Sequence, residues 1–421
     1  MNVLLLSAAD SGSGATRAAY RLHRSFLKVG VDSKLLVQVK YTDDSRVIGM
    51  TSASSGIGRV ISGSRIAVDR LPLKLYSRRK RVPFCPQWLP DSAVSKVKEI
   101  SPDIVHLHYV NDALMRIESI GRLNRPIVWT LRDMWPFTGG CHYDQECGKY
   151  AESCGACPLL SSTRDGDLSR WVWKRKANSW ANSNLTIVAL SSWLAECAKK
   201  SSLFKGLRIE TVPNGIDTEV YKPLDKQFAR KLLKLPQDKK LILFGAVNAT
   251  ADRRKGFAFL QTALQRLSSN DLKNQVEIVV FGASKPDVQP EFGFKVNYLG
   301  RFSDDISLAL IYSSADVFIA PSIQENLANT VLESLACGVP CVAFKIGGMP
   351  DLIEHCRNGY LAEPFEVDDL VRGIKWVLEK GTTSEELSCY AREKIEREFY
   401  MELPVYRYRS IFNDILEHTR S

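Results

Sequence analysis

Apolar residues fall into short runs separated by stretches with a helical period, a pattern that predicts buried parallel strands joined by helices. Within the first forty residues the run VLLL, the loop SAADSGSG, the periodic stretch ATRAAYRLHRSFLKVG and the run SKLLVQV make a βαβ unit. Ala19, Leu22, Phe26 and Val29 set its helical face. The runs DIVHLHYV (103–110), PIVWTLRD (126–133) and LTIVAL (185–190) extend the same sheet. VPNGIDTEVYKP (212–223), with two prolines and an Asn-Gly, breaks the pattern and predicts a linker. The pattern restarts at KLILFGA (240–246), VEIVVFG (276–282), KVNYLG (295–300), ADVFIAPS (315–322) and VPCVAF (339–344). Two amphipathic helices follow, at 384–399 and 400–418. The fold class is therefore α/β, with two Rossmann-like doubly wound domains, at 1–213 and 214–401, facing a cleft.

Composition narrows the partners more than the fold. A chain of 421 residues suits two domains, and 45% hydrophobic with 25% charged residues excludes a disordered or fibrous protein. The start MNVLLLSAADSG is too briefly apolar for a signal peptide, and no run reaches a membrane span, so the expected location is the cytoplasm. A net charge of +10 predicts an anionic partner: nucleotide phosphate, acidic lipid or nucleic acid. Ten cysteines without an export signal argue for thiols or a metal site rather than a disulfide framework.

Gly12 and Gly14 allow backbone N–H groups to approach an anion at the first helix, or simply make a tight turn. They lack the third glycine and the following acid of a dinucleotide fingerprint. His108, Arg132 and Asp133 lie at the carboxyl ends of predicted strands, where such sheets bind ligands. His106 and His108 lie on one predicted strand and are assigned to opposite faces, so that only one lines the cleft, each as a core or ligand-binding histidine. Trp135 and Phe137 suit either stacking on a ligand ring or core packing.

The stretch PSIQENLANTVLESLACGVP (321–340) holds Glu325 in the loop before a helix and Glu333 a turn inside it. A helix start attracts phosphate, which carboxylates repel, so the two acids suit hydroxyl groups on either side of a phosphate. A nucleotide sugar supplies both sets, and ATADRRKGF brings Arg253, Arg254 and Lys255 to a nearby loop. Solvated helix charges are the alternative reading of both groups.

With the Glu-seven-Glu spacing intact, this stretch resembles the donor-site signature of the family 4 retaining glycosyltransferases. SGSGATRAAYRLHRSFLKVG, VPNGIDTEVYKP, DRRKGF and TLRDMWPFTGGCHY also stand in the order of a GT-B fold, most similar to the branch building exopolysaccharides such as colanic acid. The resemblance implies a UDP- or GDP-sugar donor in the second domain and a glycan or lipid-linked saccharide acceptor in the first. It also implies that the helix at 402–421 packs back on the first domain, and that catalysis needs no metal cofactor. It assigns Glu325 to the donor sugar, Glu333 to the ribose and Lys255 to the diphosphate. Asn326, Leu327, Asn329, Thr330 and Gly14 complete the donor site, while Gly12, His108 and Trp135 meet the acceptor. Two departures stand out: Thr250 occupies the usual arginine position, so Arg254 takes that role, and Arg132 replaces a histidine near the reacting sugar. An arginine can stabilise charge there, with Asp133 orienting it or meeting an acceptor hydroxyl, but it cannot act as a base at neutral pH. A non-catalytic sugar-nucleotide or glycan-binding protein is the alternative, and an epimerase or phosphorylase a third reading.

Two further segments bear on partners. Cys141, Cys147, Cys154 and Cys157 fall in one loop-like segment and suit a structural zinc, a disulfide or free thiols. Arg65, Arg70, Lys74, Arg78, Arg79, Lys80 and Arg81 interleave with apolar residues between 64 and 84, either as peripheral contact with an anionic inner membrane or as a solvated loop. Nucleic acid is not expected as a partner.

Overall fold

The computed structural model describes all residues except 53–55, 246–251, 269–270, 287–289, 303, 380–383 and 421. The chain divides into two compact units, Met1–Pro213 with Val405–Ser421, and Asn214–Pro404.

In the first unit β1 (Asn2–Ala9), β2 (Asp32–Lys40), β3 (Val47–Ser52), β4 (Ile104–Leu107), β5 (Ile127–Leu131), β6 (Leu185–Ala189) and β7 (Arg208–Thr211) form one sheet. All its pairings are parallel and its order is β3-β2-β1-β4-β5-β6-β7, so the winding reverses between β1 and β4. Successive side chains alternate between two cores. Leu4, Leu6, Val105 and Leu107 enter one, and Val3, Leu5 and Ile104 the other. The helix Gly14–Lys28, closed at its start by a Ser13/Thr16 capping box, brings Phe26 to the second core. There Phe26 meets Val405, Tyr408, Ile411, Phe412 and Ile415 of the final helix, Glu402–Arg420. The Tyr408 hydroxyl lies 2.7 Å from Thr130 Oγ1, which lies 2.8 Å from His106 Nε2.

The second unit carries β8 (Lys240–Gly245), β9 (Val276–Phe281), β10 (Val296–Gly300), β11 (Val317–Ala320), β12 (Cys341–Phe344) and β13 (Gly359–Ala362). These too are parallel throughout, in the order β10-β9-β8-β11-β12-β13, with the reversal between β8 and β11. Ala246, the last residue of the expected first strand here, lies outside the described residues, as does Thr250.

Several strands are shorter than the apolar runs that predict them: DIVHLHYV contributes only Ile104–Leu107. The pattern also missed β3, then β7, an edge strand whose RIET is only partly buried, and the four-residue β13. Part of the basic stretch is helical, since the helix Gly56–Asp69 runs into it.

The final helix holds one face of the first sheet through fully buried Phe412. Replacing it by alanine is expected to cost about 3–5 kcal/mol, whereas Tyr406→Ala, at an exposed position, changes less than about 0.5 kcal/mol. Urea unfolding followed by the fluorescence of Trp129, Trp135 and Trp180 measures both.

Candidate active site

In the second unit the segment after β11 runs through Pro321 to Ala328 into the helix Asn329–Ala336. Two close backbone approaches hold it. Gly256 follows the short 3-10 helix Arg253–Lys255 at φ +69°, and a Cβ there would stand 1.7 Å from the Pro321 carbonyl oxygen. Gly347, at φ +51°, would place a Cβ 1.9 Å from the Glu325 carbonyl oxygen. Both positions therefore require glycine for conformation and for space. Backbone bonds from Ile323 N to Arg254 O (2.8 Å) and from Gly348 N to Glu325 O (3.2 Å) complete the clamp.

The clamp sets Lys255 Nζ 2.5 Å from Glu325 Oε2. Glu325 is only 8% exposed. Burial pushes its carboxyl up, but the Lys255 ammonium and then the Arg254 guanidinium hold it below the ordinary carboxylate range. Arg254 in turn donates to Asp252 Oδ2 at 2.7 Å. Glu333 lies on the inner side of its helix and accepts from the hydroxyl of fully buried Tyr312 at 3.0 Å. Asn326 and Leu327 are buried, while Asn329 and Thr330 are half-buried at the helix start, where Asn329 Oδ1 accepts from Asn214. The structure thus gathers Arg254, Lys255, Glu325 and the helix start at the carboxyl end of β11, beside the reversal point.

In the first unit Gly12 is exposed at φ +99° with open space around it, and Gly14 begins the first helix. The Ala8 N–H donates to Tyr109 O at 2.7 Å, joining this turn to the end of β4. His108 does not face away from His106 as expected: residues two apart on an extended strand share a face, the pairing continues past Leu107 through His108 N to Leu6 O at 3.0 Å, and the two rings stand 4.1 Å apart between centroids. Burial, and then the neighbouring His106 and Arg132, keep His108 neutral well below its usual range. Arg132 Nη2 donates to His108 Nδ1 at 2.9 Å. The ring proton therefore sits on Nε2, which has no hydrogen-bond partner among the described residues. Burial lowers Arg132 to about 10, so it stays charged at neutral pH.

Two other expectations need correction. Asp133 does not orient Arg132: its carboxylate accepts from Trp135 N at 2.8 Å and from His142 Nδ1 at 2.7 Å. Trp135 has no face open to a sugar. It is fully buried between Trp129 and Trp180, donates to Cys85 O, and carries the Lys176 ammonium 3.6 Å above its ring. Phe137 is equally buried against Tyr150 and Phe204. His142, which the sequence sets beside the cysteines without a role of its own, reaches Asp133 across the loop that follows the 3-10 helix Trp135–Phe137. Burial alone would lower its pKa, but Asp133 and Cys85 raise it to about 10.

Cys141, Cys147, Cys154 and Cys157 are all unpaired thiols. Cys154 Sγ accepts from Gly139 N at 3.1 Å, and burial pushes its thiol up to about 12. Among the described residues no three His, Cys, Asp or Glu side chains stand as a group able to hold a metal.

Two parallel, doubly wound α/β units of this kind define the GT-B class. Sucrose-phosphate synthase from Thermosynechococcus elongatus superposes with a TM-score of 0.67 at 16% identity, over 99% of this chain and 100% of that one. Anabaena Alr3699/HepE, solved with UDP and glucose, gives 0.64 at 17% identity over 98% and 100%. Identities this low establish the fold alone. The family model for Glycosyltransferase Family 4 matches residues 12–220, and that for Glycosyl transferases group 1 matches 238–380. Between them they span most of the chain, which belongs to the family 4 glycosyltransferases. Among curated relatives, sulfoquinovosyl transferase SQD2 of Arabidopsis thaliana is 28% identical over 44% of this chain and 36% of its own. N-acetyl-alpha-D-glucosaminyl L-malate synthase of Bacillus anthracis is 25% identical over 51% and 55%. The chain therefore spans about half, or less, of the length of these relatives.

The ion pair makes a signed pH prediction. With its folded pKa held below the unfolded value of about 4.3, Glu325 contributes stability above that value and loses it as pH falls through the folded pKa. In Lys255→Ala burial acts with less opposition, so acid unfolding begins at higher pH than in the parent chain. Circular dichroism during acid titration reads the shift.

Proposed function

We propose that this chain is a retaining, metal-independent hexosyltransferase that moves a sugar from a nucleoside diphosphate to a growing surface polysaccharide or its lipid-linked precursor. The observation that carries this reading is the pair of half-buried Lys255 with buried Glu325, clamped beside a helix start at the reversal point of the second sheet. Lys255 neutralises charge on the leaving diphosphate, and Arg254 exchanges Asp252 for a phosphate oxygen. Backbone and side-chain donors from Asn326, Leu327, Asn329 and Thr330 complete the anion site. Glu325 accepts from a hydroxyl of the transferred sugar. Glu333, oriented by Tyr312, accepts from the ribose.

The first unit takes the acceptor. His108 Nε2–H, a buried donor lacking a partner among the described residues, supports an assignment to a substrate hydroxyl, and Arg132 fixes that tautomer through Nδ1. As the sugar–phosphate bond breaks, the acceptor oxygen attacks the same face of the sugar. Its proton passes to the departing phosphate oxygen, so no protein base is required. The protein stabilises the charge that develops on the diphosphate. UDP in the Anabaena neighbour supports uridine as the base.

Release of UDP or GDP from a panel of sugar donors tests the proposal. The parent chain should turn over at least one donor with retention of anomeric configuration. Lys255→Ala should lose about 10²–10³-fold in kcat/KM, and Glu325→Gln should lose turnover. Donor binding without turnover would favour the non-catalytic reading, which Arg132 motivates. Product without an acceptor, or only with phosphate, would favour an epimerase or phosphorylase.

A further inference from the structure

The first unit leaves an apolar ridge in water. Val60, Ile61 and Val68 recur at two-turn spacing on the helix Gly56–Asp69, and all are exposed, Val60 at 71%. Leu71 and Leu75 continue the ridge on the 3-10 helix Leu71–Leu75, with Leu75 85% exposed.

Cations flank this ridge without acids to balance them. From 56 to 84 the sole carboxylate is Asp69, and it is buried, accepting from the backbone N–H groups of Gln87 and Trp88. Arg70 reaches Asp112 at 3.3 Å. Among the described residues Lys74, Arg78, Arg79, Lys80 and Arg81 make no ion pair. Their backbone is anchored: Lys80 N donates to Leu159 O, Ser161 Oγ donates to Arg78 O, and the Tyr76 hydroxyl accepts from Leu168 N. Arg70, Lys74, Arg79 and Arg81 line, with Tyr76 and Ser77, a surface cavity of about 330 Å³.

We infer that this ridge is a docking surface for an anionic lipid bilayer, with the aliphatic side chains entering the headgroup layer and the basic cavity taking a lipid phosphate. Each half of the feature needs the other. Weak apolar insertion and electrostatic attraction hold a protein on a membrane when they act together. A nucleic acid would use the cations but has no use for exposed valine and leucine, and its bases stack on aromatic rings. The helix lies along the surface rather than across it, for among the described residues no helix is long and apolar enough to span a membrane.

Sedimentation of the full chain with vesicles tests the inference without requiring any turnover, so its failure is separable from failure of the proposed transferase activity. Binding is expected to vesicles containing phosphatidylglycerol and not to phosphatidylcholine alone, and to weaken as salt rises. Arg79→Gln with Arg81→Gln should weaken it about 30-fold, and Leu71→Ser with Leu75→Ser about 10-fold or more. Removing the exposed charges of Lys199 and Lys200, on the helix Ser192–Lys200, should leave it unchanged. Equal binding to both vesicle types, binding to neither, or full binding by the leucine variant would overturn the proposal. So would RNA binding that depends on the arginines and not the leucines, or displacement from vesicles by inorganic phosphate at low concentration.

Discussion

A buried glutamate paired with a half-buried lysine is a poor way to stabilise a fold. Taking the carboxylate out of water costs several kcal/mol, and the attraction of its partner repays this only when geometry is tightly enforced. At Lys255 and Glu325 the backbone does the enforcing. Gly256 lies against Pro321 and Gly347 against Glu325 so closely that neither tolerates a Cβ, and the two side chains meet because the loops carrying them cannot separate. Other features of the second unit follow from this constraint. The helix Asn329–Ala336 starts where the clamped segment ends, Glu333 is presented from within it, and Tyr312 holds that carboxylate from below. A pair retained at such cost is better understood as a preorganised ligand site than as a staple.

The first unit solves a different problem, that of keeping polar groups dry. His106, Thr130 and Tyr408 form a buried chain that reaches the final helix, while His108 and Arg132 form a second pair at the strand ends. Arginine stays charged when buried, so it dictates the state of the histidine beside it: His108 must be neutral and must carry its proton on Nε2. The substitution of arginine for the family's histidine at 132 is thus compatible with a directed hydrogen-bond donor, supplied by a neighbouring residue.

Features written in local periodicity were legible in the sequence. Alternating apolar runs and helical stretches gave most strands of both sheets and the two last helices, because each depends on residues close together in the chain. The Glu325 and Glu333 motif was legible for the same reason. What escaped was decided by contacts distant in sequence. Trp135 suited sugar stacking until Trp129, Trp180 and Lys176 were seen to occupy its surroundings. Asp133 turned to His142 rather than Arg132 because the intervening 3-10 turn and loop fold back on the strand end, which no pattern announces. The opposite faces assigned to His106 and His108 failed because residues two apart on a strand share one face, where their rings meet.

The central claim is that Lys255 recognises the diphosphate of the donor, and calorimetric binding of uridine diphosphate and of uridine to the parent chain and to Lys255→Met tests it most directly. The account predicts that the substitution weakens the diphosphate at least about tenfold, as expected for a charge-assisted hydrogen bond, and leaves uridine unchanged. Equal weakening of both ligands, or of neither, would contradict it.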